Sequence, residues 1–159
     1  MTAVVIEGKD AADTVQLPEM VKTTAANFTV NEFSADKAYG SKSNYEAIAD
    51  AGGTPFIPFK SNHTGQGGGL WTKMFHYFNY RREDFLNHYH KRSNVEATFS
   101  MIKRKFGDAL RSKTDTAMVN EALCKIVCHN LVVLIHEMYE LGIEPEFWAA
   151  QKQPVLHKN

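Results

Sequence analysis

The sequence predicts an α/β fold, and three observations carry that prediction. Residues 1–59 run in the order strand, helix, strand, helix, strand, which in compact domains usually means parallel strands. Residues 83–107 and 115–141 then switch to two long helical patterns. The chain of 159 residues is long enough for one domain with a sizeable core.

Each element has a local reason. TAVVIE (2–7) is short and β-branched and reads as a strand, followed by a turn at KDAAD. LPEMVKTTAA (17–26) reads as a helix with Pro18 in its first turn, where a missing N–H costs nothing. FTVNEFSAD (28–36) reads as a second strand ending at Asp36. Residues 42–51 read as a helix, with Ser43 and Glu46 as a capping box and Gly52-Gly53 as the stop. TPFIPF (54–59) reads as a third strand, and Pro55 and Pro58 place it at an edge. SNHTGQGGG (61–69) reads as a flexible loop. Its glycines lack the Gly-Lys-Ser/Thr that would make a phosphate cradle. LWTKMFHYFNYRREDF (70–85) is rich in aromatics, which either pack a subdomain or stack bases; composition favours packing. Residues 61–82 are therefore expected as a flexible, aromatic insertion within a domain spanning 1–150. A helix from about Glu83 ends at Gly107, and another runs from Asp115, as cap, to Leu141, where Gly142 and Pro145 end it. The polar tail 151–159 is expected to be disordered.

Net charge is zero, with 18 basic and 18 acidic residues, but the distribution is uneven. Residues 60–113 hold 11 Lys and Arg against 4 Asp and Glu, whereas the segments on either side are net acidic. A basic block of this kind suits a polyanion or a solvated face. Cys124 and Cys128, four apart among apolar residues, fit a buried helix face in a reduced, cytoplasmic protein. Met118, Leu123, Ile126, Val127, Leu131, Leu134, Ile135 and Met138 are expected in the core with them. No secretory signal is visible, and no apolar run reaches membrane-span length, so no membrane partner is expected. His76, His88 and His90 lack the i, i+4 spacing of a helical zinc site and are expected on the surface or facing DNA.

The segment YHKRSNVEATFSMIKRKFG (89–107) carries the strongest signal. On a uniform helix, at about 100° per residue, Tyr89, Arg92, Glu96 and Lys103 share a stripe roughly 60° wide. Val95, Phe99, Ile102 and Phe106 form an adjoining apolar stripe, so the polar quartet is expected beside a buried seam. On spacing alone, Arg92 and Glu96 also suit an ordinary helix ion pair. Asp36 ends a strand, where α/β sheets bind ligands, though such an Asp is also a common turn cap. Together, Asp36 and Glu96 could hold a divalent ion through oxygen ligands.

These residues also resemble a known family. ADKAYGS (35–41) and the 89–107 segment are similar to the second and third acidic motifs of bacterial insertion-sequence transposases of the DDE type. The signature Tyr, two residues, Arg, three residues, Glu, six residues, Lys is met by Tyr89, Arg92, Glu96 and Lys103. Asp36 with Tyr39 matches the second motif, and the likeness extends through KSNHTG, LWTKMF and NEALCKIVCHN. The resemblance implies a ribonuclease H-like fold and an acidic triad holding two Mg2+ or Mn2+ ions that cuts and rejoins transposon-end DNA. Asp36 and Glu96 would be metal ligands. Lys103, with Arg104 and Lys105, would contact DNA, while Arg92 would bind phosphate or orient Glu96, and Tyr89 would support them.

The family pattern also needs an aspartate on an earlier strand. Upstream of Asp36 there are only Asp10 and Asp13, at positions that correspond to a turn in the pattern. The expectation is therefore the C-terminal part of a catalytic domain. Its mixed sheet would be incomplete, its first strands missing and its edge open. It would end in long helices and show weak or no activity alone, since the ions of a two-metal clamp act together. The alternative is a non-catalytic fragment that binds DNA through the basic block, or pairs with a full-length transposase or another copy. A third reading is a decayed frame whose product does not fold, which a cooperative thermal transition would exclude. Localisation is expected to be the bacterial cytoplasm, at the nucleoid.

Overall fold

The computed structural model describes residues 1–6 and 15–144. The KDAAD turn, Asp10, Asp13, Pro145 and the tail lie outside these residues. The chain divides into two units, Met1–Ala109 and the part from Leu110 onward.

In the first unit, α1 (Leu17–Ala25) starts with Pro18 in its first turn and buries Leu17 and Val21, one turn apart. β1 (Glu32–Ser34) and β2 (Thr54–Phe56) pair in parallel, with Ser34 opposite Phe56. Between them, α2 (Lys42–Asp50) buries Asn44, Tyr45 and Ile48. From α1 to β2 the expected alternation is thus present, but as a mostly helical unit around a two-stranded sheet. In so narrow a sheet each strand has an edge, and Pro55 is accommodated there. The backbone turns after α2 at Gly52, with φ of 84°.

Several local expectations need correcting. Residues 2–6 form no strand; Thr2 and Thr24 share a hydroxyl hydrogen bond of 3.3 Å instead. A strand exists only through a ladder partner, and among the described residues β1 pairs with β2 alone. β1 is also shorter than FTVNEFSAD. The N–H groups of Ala26, Asn27 and Phe28 bond back to carbonyls of α1, which removes them from any ladder. The N-cap of α2 is Ser41, whose hydroxyl accepts from Asn44 N–H at 3.2 Å; the Ser43–Glu46 box does not form.

Beyond β2 the chain has no regular structure at 57–68. It is tied down where Trp71 Nε1 donates to Thr64 O at 2.9 Å and Thr72 Oγ1 to Gly65 O at 2.6 Å. α3 (Gly69–Tyr80) and α4 (Arg82–Tyr89) then deliver the aromatics to the core. Trp71, Phe78 and Phe85 are buried with Tyr45, Phe56 and Phe59. Ring pairs such as Phe78–Phe85 (5.1 Å) and Phe59–Trp71 (4.9 Å) stand edge to face, the arrangement that ring quadrupoles favour. Tyr45 donates its buried hydroxyl to Ile57 O, and burial holds its phenol above the ordinary range.

The helix expected from Glu83 to Gly107 is not uniform. α4 ends at Tyr89, a 3-10 turn spans His90–Arg92, and α5 runs Ser93–Phe106, stopped by Gly107 at φ of 84°. The tighter turn advances about 120° per residue, so a single 100° wheel does not carry across it. Only Ile102 of α5 is buried; Val95 and Phe99 are 52% and 45% exposed, which overturns the expected buried seam.

The second unit holds α6 (Asp115–Glu140). Its cap is Thr114, not Asp115: the Thr114 hydroxyl accepts from Ala117 N–H at 3.3 Å. Among its described residues only His129 is buried. Leu123, Val127, Leu131, Leu134 and Ile135 are exposed, as are the free thiols Cys124 and Cys128, contrary to the expected core face. By length and composition α6 could also cross a membrane, so the expectation that no segment reaches that length does not hold.

Candidate active site

Two segments of the first unit supply the site. β1 leads to Asp36, which lies two residues beyond the strand and caps the 3-10 turn Lys37–Tyr39. Its Oδ1 accepts from Ala38 N–H at 3.2 Å. Asn44 of α2 donates to Tyr39 O at 2.8 Å, holding this turn against the core. The second segment is the junction of α4, the 3-10 turn and α5, which carries Tyr89, Arg92 and Glu96.

Arg92 is the meeting point. Its guanidinium lies over the Tyr89 ring, 5.8 Å from the centroid, and pairs with Glu96 Oε1 at 2.7 Å. Tyr89, first, raises the Arg92 pKa above its ordinary value; burial opposes it, and Glu96 and, least of all, Asp36 add to the rise. The structure thus brings the Asp36 motif and the Glu96 motif into one electrostatic neighbourhood. Glu96 is 65% exposed on its side chain, so its ion pair is a surface one and contributes little to stability. Lys103, Arg104 and Lys105 are exposed along the last turn of α5, two turns from Glu96. The predicted quartet therefore separates into a contacting trio, Tyr89–Arg92–Glu96, and a basic end.

The donor chemistry can be tested against a divalent ion. Carboxylate oxygens are the ligands that Mg2+ and Mn2+ take, and one or two with water and phosphate suffice for Mg2+. By donor type alone, Asp36 and Glu96 are ligands of this kind. Among the described residues no cluster of three or more His, Cys, Asp or Glu exists to complete a larger cage.

Sequence reasoning missed the contacts that join the two segments. Glu32 Oε2 accepts from Lys91 Nζ at 2.8 Å, and Glu32 Oε1 lies 3.0 Å from His88 Nδ1. These two contacts, Lys91 first, hold the Glu32 carboxyl below the usual range. Ser34 Oγ donates to His88 O at 3.1 Å. The His88 ring stacks on Phe56 at 4.3 Å and 8°, so His88 is a half-buried packing residue and not the surface histidine expected. One signal was available: Glu32 and Ser34 are two apart on a strand and share a face.

The family model described as Transposase DDE domain matches residues 1–131. No curated relative and no solved structure matches the chain. Most of the chain is thus covered by one family's pattern, and it includes both acidic motifs. The chain belongs to the transposase DDE domain family.

Proposed function

We propose that this chain carries part of the DNA-processing site of a bacterial insertion-sequence transposase, built on a ribonuclease H-like core over residues 1–150. The observation that carries the reading is Arg92: it pairs with Glu96 at 2.7 Å and its pKa is raised in part by Asp36. Contacts of Glu32 and Ser34 with His88 and Lys91 support the same reading, since they hold the strand that leads to Asp36 beside the segment that carries Arg92.

Members of the family generally use divalent metals. Asp36 and Glu96 are the residues that would hold Mg2+ or Mn2+, and the ion, when bound, neutralises charge on the phosphate under attack. Arg92 orients the Glu96 carboxylate, and Tyr89 supports Arg92 from below. Lys103, Arg104 and Lys105 bind phosphates of transposon-end or target DNA. Phosphoryl transfer needs positioning and charge stabilisation more than covalent chemistry, and this residue set suits that demand. Asp36 and Glu96 are the two acids assigned to the reaction, and with these two the chain alone is expected to cleave weakly or not at all. The working compartment is the cytoplasm.

Two assays on the purified 159-residue chain test this reading. With Mg2+ and transposon-end DNA, robust cleavage abolished by Glu96→Gln would overturn the claim of weak activity. DNA binding should weaken with salt, and replacing Lys103, Arg104 and Lys105 by Ala should lower the salt slope by about 2–3, at roughly 0.9 per phosphate contact. A folded sample that binds no DNA at low salt rules the reading out. A second reading, a non-catalytic fragment that binds DNA or a transposase partner, is favoured by the basic block at 60–113. It requires DNA affinity that survives both chelation and Glu96→Gln.

A further inference from the structure

We propose that Glu32 is a positioning residue that sets the Asp36 motif in register with the Arg92–Glu96 motif, an inference that rests on the site reading above. Glu32 lies four residues before Asp36, on the strand that delivers it. Its two carboxylate oxygens reach different residues of the other segment, His88 at 3.0 Å and Lys91 at 2.8 Å. Lys91 is the residue before Arg92 and lies within the same 3-10 turn, so Glu32 holds, through two side chains, the segment that carries the guanidinium. Two further contacts hold the same joint. Ser34 Oγ bonds to His88 O at 3.1 Å, and His88 lies flat on Phe56, the β2 residue paired with Ser34.

The joint needs such a clasp because regular structure does not supply one. β1 has three residues and the turn at 90–92 has three, so neither is stiffened by a long ladder or a long helix. The sequence separations of 56 and 59 residues mean that only tertiary contacts join the two motifs. A carboxylate that bridges two cationic or donor groups fixes both distance and angle, which a single apolar contact does not. Groups hydrogen-bonded to metal-binding side chains commonly matter about 10- to 100-fold for affinity, and Glu32 acts one step further out, through the segment beside Arg92.

The test uses the whole chain, with Glu32→Ala and the isosteric Glu32→Gln. Two NMR signals read the site without requiring activity: the Ala38 amide, which bonds to Asp36, and the Arg92 Nε–H. Both should move in Glu32→Ala, and Mn2+ affinity should fall by about 10-fold or more. Glu32→Gln, which keeps one acceptor oxygen but loses the second and the charge, should fall between wild type and Glu32→Ala. A purely structural role would lower the thermal midpoint while leaving both signals and Mn2+ affinity unchanged in the folded protein, and that result overturns the proposal. If Glu32→Ala does not fold, Glu32→Gln is judged by the same readouts. If wild type takes up no Mn2+, the metal reading of the site fails; the two signals then decide the inference, movement supporting it and constancy rejecting it.

Discussion

Asp36 combines a local duty with its proposed role. Through Oδ1 it caps the 3-10 turn at 37–39, and a carboxylate has acceptor capacity beyond one such bond. The two duties separate by substitution. Asp36→Asn keeps an oxygen for the Ala38 N–H and should change stability by no more than about 0.5 kcal/mol, whereas Asp36→Ala should cost about 1 kcal/mol as a lost cap. Glu96→Gln breaks a 2.7 Å pair that is largely exposed and should also cost less than about 1 kcal/mol. Under the proposed role, Asp36→Asn and Glu96→Gln both lose Mn2+ uptake at almost undiminished stability. Thermal denaturation beside an Mn2+ titration checks the set.

Elements here are closed by side chains that take up orphan backbone groups. At the start of α6, Glu121 accepts from the N–H of Ser112 at 2.9 Å and of Arg111 at 2.9 and 3.1 Å, and pairs with Lys125 at 3.3 Å. Ser112 first, then Arg111 and Lys125, pull the Glu121 carboxyl down to about 2. The sign follows: a depressed carboxylate contributes its stabilisation above the ordinary range and loses it as pH falls through the folded value. That contribution falls between about pH 4.5 and about 2, while the amide signals of Arg111 and Ser112 in the folded protein should hold their bonded positions until the pH falls to about 2. Glu121→Gln should flatten that response. Element ends were legible where residue chemistry is distinctive, as with Pro18 in α1 and Gly107 after α5. They were misread by one or two residues where several hydroxyl or carboxyl side chains compete, as with Ser41 against Ser43 and Thr114 against Asp115. Which of them caps depends on where the backbone enters the helix, and flanking packing decides that.

At the scale of the molecule, the two units differ in how their apolar residues are used. Phe85 in the first unit is fully buried and contacts the rings of Phe56, Tyr77 and Phe78. Leu134 on α6 is 55% exposed. Phe85→Ala should cost about 3–5 kcal/mol, the range for removing a core aromatic. Leu134→Ala should stay within about 0.5 kcal/mol, as at other exposed positions. Urea denaturation followed by circular dichroism measures both. A large loss from Leu134→Ala would mean that its face is covered in solution.

The sequence by itself determined the helical periods, the alternation at 17–56 and the spacing of Tyr89, Arg92, Glu96 and Lys103. These depend on neighbours within a few residues along the chain, where sterics and capping act. The Arg92–Glu96 pair follows from helical spacing, but only the tertiary structure decided that the strand leading to Asp36 lies against the segment beside Arg92. It alone interrupted the long helix with a 3-10 turn, left Val95 and Phe99 exposed, and enlisted Glu32 and His88 to join the two motifs. These outcomes rest on contacts between residues more than fifty positions apart, or on whether an apolar face meets a partner. Periodicity shows that a face is apolar; it does not show what lies against it.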